Sequence, residues 1–170
     1  LEVVKSDVAG SSFKSAHRAA DLLYRPQAYN ESAEIVRSID DRYGKKLSNN
    51  DQLELMTLKA KLARAQGRPK EAARLLESIV NRDGTRGDAL LELARFHRDQ
   101  GATQKAILML ERAANLDGFE YRALVEQAQL QVSEKDYEKA AGLLKRALRI
   151  QSEPRIERFL ARIEEVARRR

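Results

Sequence analysis

The stretch GATQKAILMLERAANLDG (101–118) begins and ends on glycine, and 34 residues earlier GRPKEAARLLESIVNRDG (67–84) does the same over the same length. Stepping by 34 aligns Gly67, Gly101 and Lys135, then Ala72, Ala106 and Ala140, then Leu76, Leu110 and Leu144. Ile79, Ala113 and Ala147 follow, and Gly84, Gly118 and Ser152 close the frame. Upstream of the glycines, Ala60, Ala94 and Ala128 form one more column. A fixed period of this kind marks stacked structural repeats.

Each period reads as two helices. In DALLELARFHRDQG (88–101) the residues Leu90, Leu93, Ala94 and His97 recur at the spacing of one helical face. Gly101 then supplies the left-handed backbone that ends a helix. Ala106, Leu110 and Ala113 form a second stripe, with Met109 and Leu116 beside it, and Gly118 ends that helix in turn. Pro69 suits the first turn of its helix, where no intrahelical N–H is lost, and Asp136 suits the N-cap before Tyr137. The alanine columns let neighbouring helices approach closely; a bulky residue there would overpack the contact by roughly 1–3 kcal/mol. One such pair cannot bury its apolar face alone, so neighbours bury it in series.

A fainter copy lies upstream. QAYNESAEIVRSIDDRYG (27–44) places Ser32 in the Ala72 column, Val36 in the Leu76 column, and Ile39 and Gly44 in the later ones, while Ala20 joins Ala60. Its offset is 40, so six extra residues fall near KKLSNN (45–50), which reads as a longer loop. The expected organisation is a lead-in over 1–12, a degenerate unit over 13–46, a linker over 47–52, units over 53–86, 87–120 and 121–154, and a cap over 155–170. In that last stretch Ile156, Phe159, Leu160 and Ile163 make an apolar stripe, and the close-packing column falls on Arg162, so a further unit would bury a charge.

Composition agrees with helix. Hydrophobic residues are 42 % and charged residues 34 % of the 170, and aromatics are 5 %. The absence of cysteine excludes disulfides, thiol nucleophiles and thiolate zinc sites without naming a compartment. No apolar run approaches the ~20 residues of a membrane span. LEVVKSD is too short for a signal peptide and has no initiator Met, so the chain reads as a soluble fragment or processed form of a longer one.

These residues resemble the tetratricopeptide repeat, a 34-residue helix–turn–helix with the pattern W-x2-L-G-x2-Y, then A-x3-F, then P. Residues 87–120 match best, with Leu90, Leu93, Ala94 and His97 in the first-helix columns, Ala106 and Leu110 in the second, and Gly118 where Pro is usual. The resemblance covers 13–154 and departs from the pattern by lacking Trp, by Lys59 and Gln127 in the Leu column, and by Lys135 for Gly. It implies an all-α fold, a right-handed α-solenoid of antiparallel helix pairs with a C-terminal capping helix. It also implies a non-enzymatic protein-interaction module that binds a peptide or protein segment in a groove lined by first helices, with no cofactor.

In the resemblance the groove-facing columns hold Lys61 and Arg64, then Arg95 and Arg98, each pair spaced i, i+3 on one face. Leu91, Glu92 and Gln129 lie beside them, with Asp21, Tyr24 and Val132 in the flanking units. The middle of the groove is therefore expected to be basic and to suit an acidic segment or a C-terminal carboxylate. One version is excluded on the residues. Family members that hold a terminal carboxylate use a Lys–Asn pair, an Asn and a Lys–Arg pair. The positions here are Thr57, Lys61, Glu92, Arg122 and Glu126, or His17, Asp21, Leu58, Asp88 and Glu92.

The only histidines are His17 and His97, without Cys to join them, and His97 falls in a packing column; no metal or catalytic site is expected. The glycines form no phosphate-binding loop. A nucleic-acid-associated basic module is the alternative raised by the net charge of +6 and the terminal Arg168, Arg169 and Arg170. The few aromatics are not interleaved with basic residues, which argues against a stacking platform. A self-associating scaffold, joined through an exposed apolar end, is the third reading.

Overall fold

The computed structural model describes residues 13–24, 28–43 and 47–169. The expected lead-in over 1–12, the column residue Gly44 and the terminal Arg170 lie outside them. Among the described residues the chain is all α, with nine helices and no strand. They are α1 Phe13–Tyr24, α2 Tyr29–Tyr43, α3 Asn49–Ala65, α4 Pro69–Arg82, α5 Gly87–Asp99, α6 Thr103–Ala114, α7 Glu120–Ser133, α8 Tyr137–Ile150 and α9 Pro154–Arg168. They fall into two compact units, residues 1–82 with α1–α4 and residues 83–170 with α5–α9.

The helix stops repeat with the sequence period. Gly67, Gly101 and Lys135 all have left-handed backbone, with φ of 73°, 69° and 63°. Around each, the same two bonds recur 34 residues apart. The N–H of the left-handed residue reaches Arg64, Arg98 or Val132, and the next N–H reaches Ala63, His97 or Gln131. These bonds satisfy carbonyls that the helix end leaves open. Lys135 keeps the geometry despite its Cβ, so the column imposes the turn and not the residue type. The second glycine column is less regular. Gly118 has φ 78°, but Gly84 is not left-handed. The turn at Gly84 is closed by a side chain, the Asp83 carboxylate accepting from the Thr85 N–H at 3.0 Å and from Arg86 Nε at 2.9 Å.

Helix starts are set by local chemistry. Pro69 and Pro154 each begin a helix. Asp136 accepts from the Lys139 N–H at 3.2 Å and so caps α8. Ser48 accepts from the Asp51 N–H at 3.2 Å and donates to the Asp51 carboxylate at 2.8 Å. This reciprocal cap starts α3 at Asn49, inside the stretch 47–52 expected to be linker. The polar run LSNN thus reads as loop by composition and acts as a helix cap by geometry.

In the first unit α1 packs on α2, α3 on α4, and α3 also against α2 and α1. Its core joins Ala16, Ala20, Ile35, Val36, Ile39, Leu55, Leu58 and Leu62. Ser32, in the small-residue column, is fully buried and donates its hydroxyl to the Ala20 carbonyl at 2.8 Å, which satisfies the one polar atom the column admits. In the second unit successive helices pack in order from α5 to α9. Ala128, Ala140, Ala141 and Leu144 meet Ile156 and Ile163 of α9 in one cluster, with Phe159 and Leu160 packed on it. The Tyr121 hydroxyl donates to the Glu153 carboxylate, tying the start of α7 to the residue before α9. Burial, and then the hydrogen bond to Glu153 and its charge, push the Tyr121 phenol up to about 12. All six alanines at 60, 94, 128, 72, 106 and 140 are buried.

Candidate partner-binding site

The expected groove residues divide between the units, Lys61 and Arg64 in the first and Leu91, Glu92, Arg95, Arg98 and Gln129 in the second. In the first unit Lys61 and Arg64 are exposed near the end of α3. The Lys61 ammonium lies 3.7 Å from the Asp21 carboxylate of α1, and Lys59 Nζ donates to Asp40 at 2.7 Å. Asp21 occupies the same column as Lys61 one unit earlier, so two groove-facing positions of opposite charge face each other.

In the second unit Arg95 is the centre of a network. Its guanidinium donates to Glu92 on its own helix at 2.8 Å and, through two nitrogens, to both carboxylate oxygens of Glu126 on α7. Glu92 and Glu126 stand 34 residues apart in one column, and Arg95 is clamped between them. Hydrogen bonding to Glu126 is the main cause that raises the Arg95 guanidinium above its ordinary value, against the opposing effect of burial. A second bridge joins the same two helices where Arg122 of α7 donates to Asp88 of α5 at 3.0 Å, again one column. The forked Arg95–Glu126 contact fixes the register of these first helices more firmly than the exposed single Arg122–Asp88 pair does.

This geometry corrects the expectation of a basic groove within the second unit. Arg95, Arg98 and Arg122 share the face with Asp88, Glu92, Asp99 and Glu126, and Arg98 donates to Asp99 at 3.0 Å. Three cations stand against four anions, so the face is of mixed charge. Leu91 departs further from its expected place, for it is fully buried and offers no surface to a partner. Helical spacing sets Leu91 beside Glu92, but the face that is covered reaches round to it. Gln129 is exposed, as a groove residue must be. Glu126, Asp88 and Arg122 complete the network; an acid and a base at a 34-residue step signal the Asp88–Arg122 pair, whereas Glu126 meets Arg95 at a 31-residue step.

Another surface was not legible. Residues of α7, α8 and α9 line an open depression of about 750 Å³, with Gln127, Gln131, Gly142, Arg146, Arg149 and Leu160 on its walls. Gln127 and Gln131 stand in the columns that hold Leu93 and His97 in the preceding unit. A Cβ at Gly142 would touch nothing within 4 Å. Short or polar residues at packing columns leave this space open.

The histidines do not build a site. His17 Nε2 lies 3.4 Å from the Glu54 carbonyl, and the His97 ring lies 5.6 Å from that of Phe96. Among the described residues no group of three or more His, Cys, Asp or Glu is placed to hold a metal ion. No described helix is long and apolar enough to cross a membrane.

Comparison with known proteins agrees with the repeat geometry. The family model of the tetratricopeptide repeat matches residues 63–128. No curated protein sequence matches the chain. Among solved structures, a Podosopora anserina protein described as a kinesin light chain with nearly identical TPR-like repeats is 21% identical, with a TM-score of 0.73 over 92% of this chain and 87% of its own. YrrB, described as a TPR protein with an unusual peptide-binding site, is 15% identical, with a TM-score of 0.68 over 91% of this chain and 81% of its own. MamA is 16% identical, with a TM-score of 0.64 over 86% of this chain and 74% of its own. At these identities the likeness is one of fold, an all-α helical-repeat solenoid. Residues 63–128 thus carry the tetratricopeptide-repeat signature, and the described residues fold as helical repeats like those of the solved structures.

Proposed function

We propose that the chain is a non-enzymatic protein–protein interaction module, and that the α5–α7 face of the second unit holds a peptide or protein segment. The observation that carries this reading is the Arg95 clamp. Held by Glu92 and Glu126, it fixes a polar network on two first helices, with exposed Arg98, Arg122 and Gln129 around it. Fixed donors and acceptors of this kind suit the main chain and charged side chains of an extended segment, since little ordering is required on binding. The peptide-binding site for which YrrB is described supports the same reading.

The acidic partner is narrowed accordingly. A segment of uniform negative charge would meet Asp88, Glu92, Asp99 and Glu126. A segment of both signs fits better, with a carboxylate reaching Arg98 and a cation reaching Glu92. In the first unit a partner carboxylate would compete with Asp21 for Lys61.

The test is selection of peptides from a displayed random library on the intact protein, followed by titration against Arg98→Glu/Gln129→Glu. Loss of about tenfold or more in affinity, the size of one good charged contact with its repulsive replacement, with unchanged helicity, is the expected result. Selected peptides that bind the double variant as well as the parent would place the site elsewhere.

A further inference from the structure

The net charge of the protein is concentrated at its C-terminal end. Residues 137–170 hold ten Lys or Arg against five Glu, so five of the six net positive charges lie in this fifth of the chain. The carboxylates of this segment next to and within α9 are already engaged. Glu153 accepts from the Tyr121 hydroxyl, Glu157 from Ser152 at 2.8 Å, Glu164 pairs with Lys145 at 2.7 Å, and Glu165 pairs with Arg169. Arg155, Arg158 and Arg162 are exposed on α9 and have no carboxylate partner among the described residues.

The three arginines form one stripe. Spacing of i, i+3 and i+7 sets them on a single helical face, roughly 10 Å long at the rise of an α-helix. The apolar residues Ile156 and Ile163 are buried on a different face, together with half-buried Phe159 and Leu160. Val166 continues the arginine stripe and is 40% exposed, one of the few large aliphatic side chains left open. On the α5–α7 face cations are met by acids of the other helix, as Arg95 is by Glu126 and Arg122 by Asp88. On α9 that complement is missing from the described residues.

We propose that this face of α9 is a second docking surface, distinct from the α5–α7 face, and that its partner is an acidic amphipathic helix of another protein. A helix with carboxylates at i, i+3 and i+7 has the same rise as the arginine stripe, so each guanidinium meets a carboxylate in register. One apolar side chain on the partner then covers Val166. A phosphodiester backbone would satisfy the arginines but would leave Val166 uncovered, and no exposed aromatic ring on this stripe offers a base a place to stack.

The experiment uses the intact protein and a fluorescent, helix-favouring 20-residue peptide carrying Glu at i, i+3 and i+7 with Leu beside them. Two further probes are a peptide of the same composition with the Glu residues spread around the helix, and an oligothymidylate of similar charge. The patterned peptide should bind, and Arg155→Ser/Arg158→Ser/Arg162→Ser should weaken it about tenfold, the sum expected of three exposed ion pairs. Val166→Ser should weaken it by a smaller factor. Removing three charges elsewhere, in Lys70→Ser/Arg74→Ser/Lys105→Ser, should leave binding within about twofold, which separates the stripe from net charge. Equal binding of the patterned and spread peptides overturns the proposal, as does retention by the arginine variant. Tighter, arginine-dependent binding of the oligothymidylate would also overturn it and assign the face to nucleic acid.

Discussion

The glycine that starts α5 offers a test in which two ordinary rules predict opposite signs. Gly87 is buried and lacks a positive φ, so backbone strain does not oppose Gly87→Ala. On helix propensity alone the change should stabilise by up to about 1 kcal/mol. Packing says otherwise. A Cβ at Gly87 would lie 2.4 Å from Cγ and 2.5 Å from both Cδ atoms of Phe119. Carbon atoms prefer about 3.5–4.0 Å, so the ring must retreat by roughly 1 Å. The atoms struck include the root of the ring, so a small rotation about the last torsion does not relieve them. Phe119 is further held by Arg122, whose guanidinium carbon lies 5.9 Å from the ring centroid. Overpacking of this kind costs about 1–3 kcal/mol. Since propensity gains are smallest at a helix start, the net expectation for Gly87→Ala is a loss of about 1–2 kcal/mol. In a Phe119→Ala background the obstacle is gone, and the same substitution should be neutral or stabilising. The coupling between the two sites should therefore be about 2 kcal/mol, read as a double-mutant cycle by urea denaturation followed by circular dichroism. If Gly87→Ala shifts the midpoint equally in both backgrounds, the contact does not limit this position and the reasoning fails.

Two further outcomes follow from single residues. Lys135→Gly should stabilise the protein by about 0.5–1 kcal/mol, because relief of left-handed strain outweighs the entropy of a new glycine; a lowered urea midpoint would contradict it. The Asp136 carboxyl is held below its ordinary 3.8, first by the Lys139 side chain and then by the Lys139 N–H it caps. A folded value below the unfolded one contributes stability that is complete above the unfolded value and is lost as pH falls through the folded one. Asp136→Asn should therefore show a shallower loss of stability than the parent between about pH 5 and 2, and parallel pH profiles would remove the cap from the account.

Local and periodic features were readable from residues alone. The left-handed stops at Gly67, Gly101 and Lys135 are short-range events, each closed by bonds between residues within five positions. The burial of Ala60, Ala94 and Ala128 follows from the 34-residue period, because a column that must accept a neighbouring helix admits only small side chains. Pro69, Pro154 and the Asp136 cap likewise act on their own helix. Composition misread one such feature, the start of α3, since Ser48 and Asp51 look like loop until their reciprocal bonds are seen.

The candidate site was less legible. Lys61, Arg95, Arg98 and Gln129 could be placed on helix faces by spacing, but their charge environment could not. Arg95 is a cation in sequence and part of a compensated cluster in space, because its long side chain reaches Glu126, 31 residues on, across to α7. Leu91 and Glu92 are adjacent in sequence, yet one is sealed in the interior and the other paired to Arg95. The Gly87–Phe119 contact is of the same kind, with no trace in either residue's own segment. Periodicity specifies which helices form and which faces they bury, because both depend on spacing along one chain direction. Which charges cancel, and which are left facing solvent as on α9, depends on the reach of side chains between helices, and that is settled only when the helices are packed.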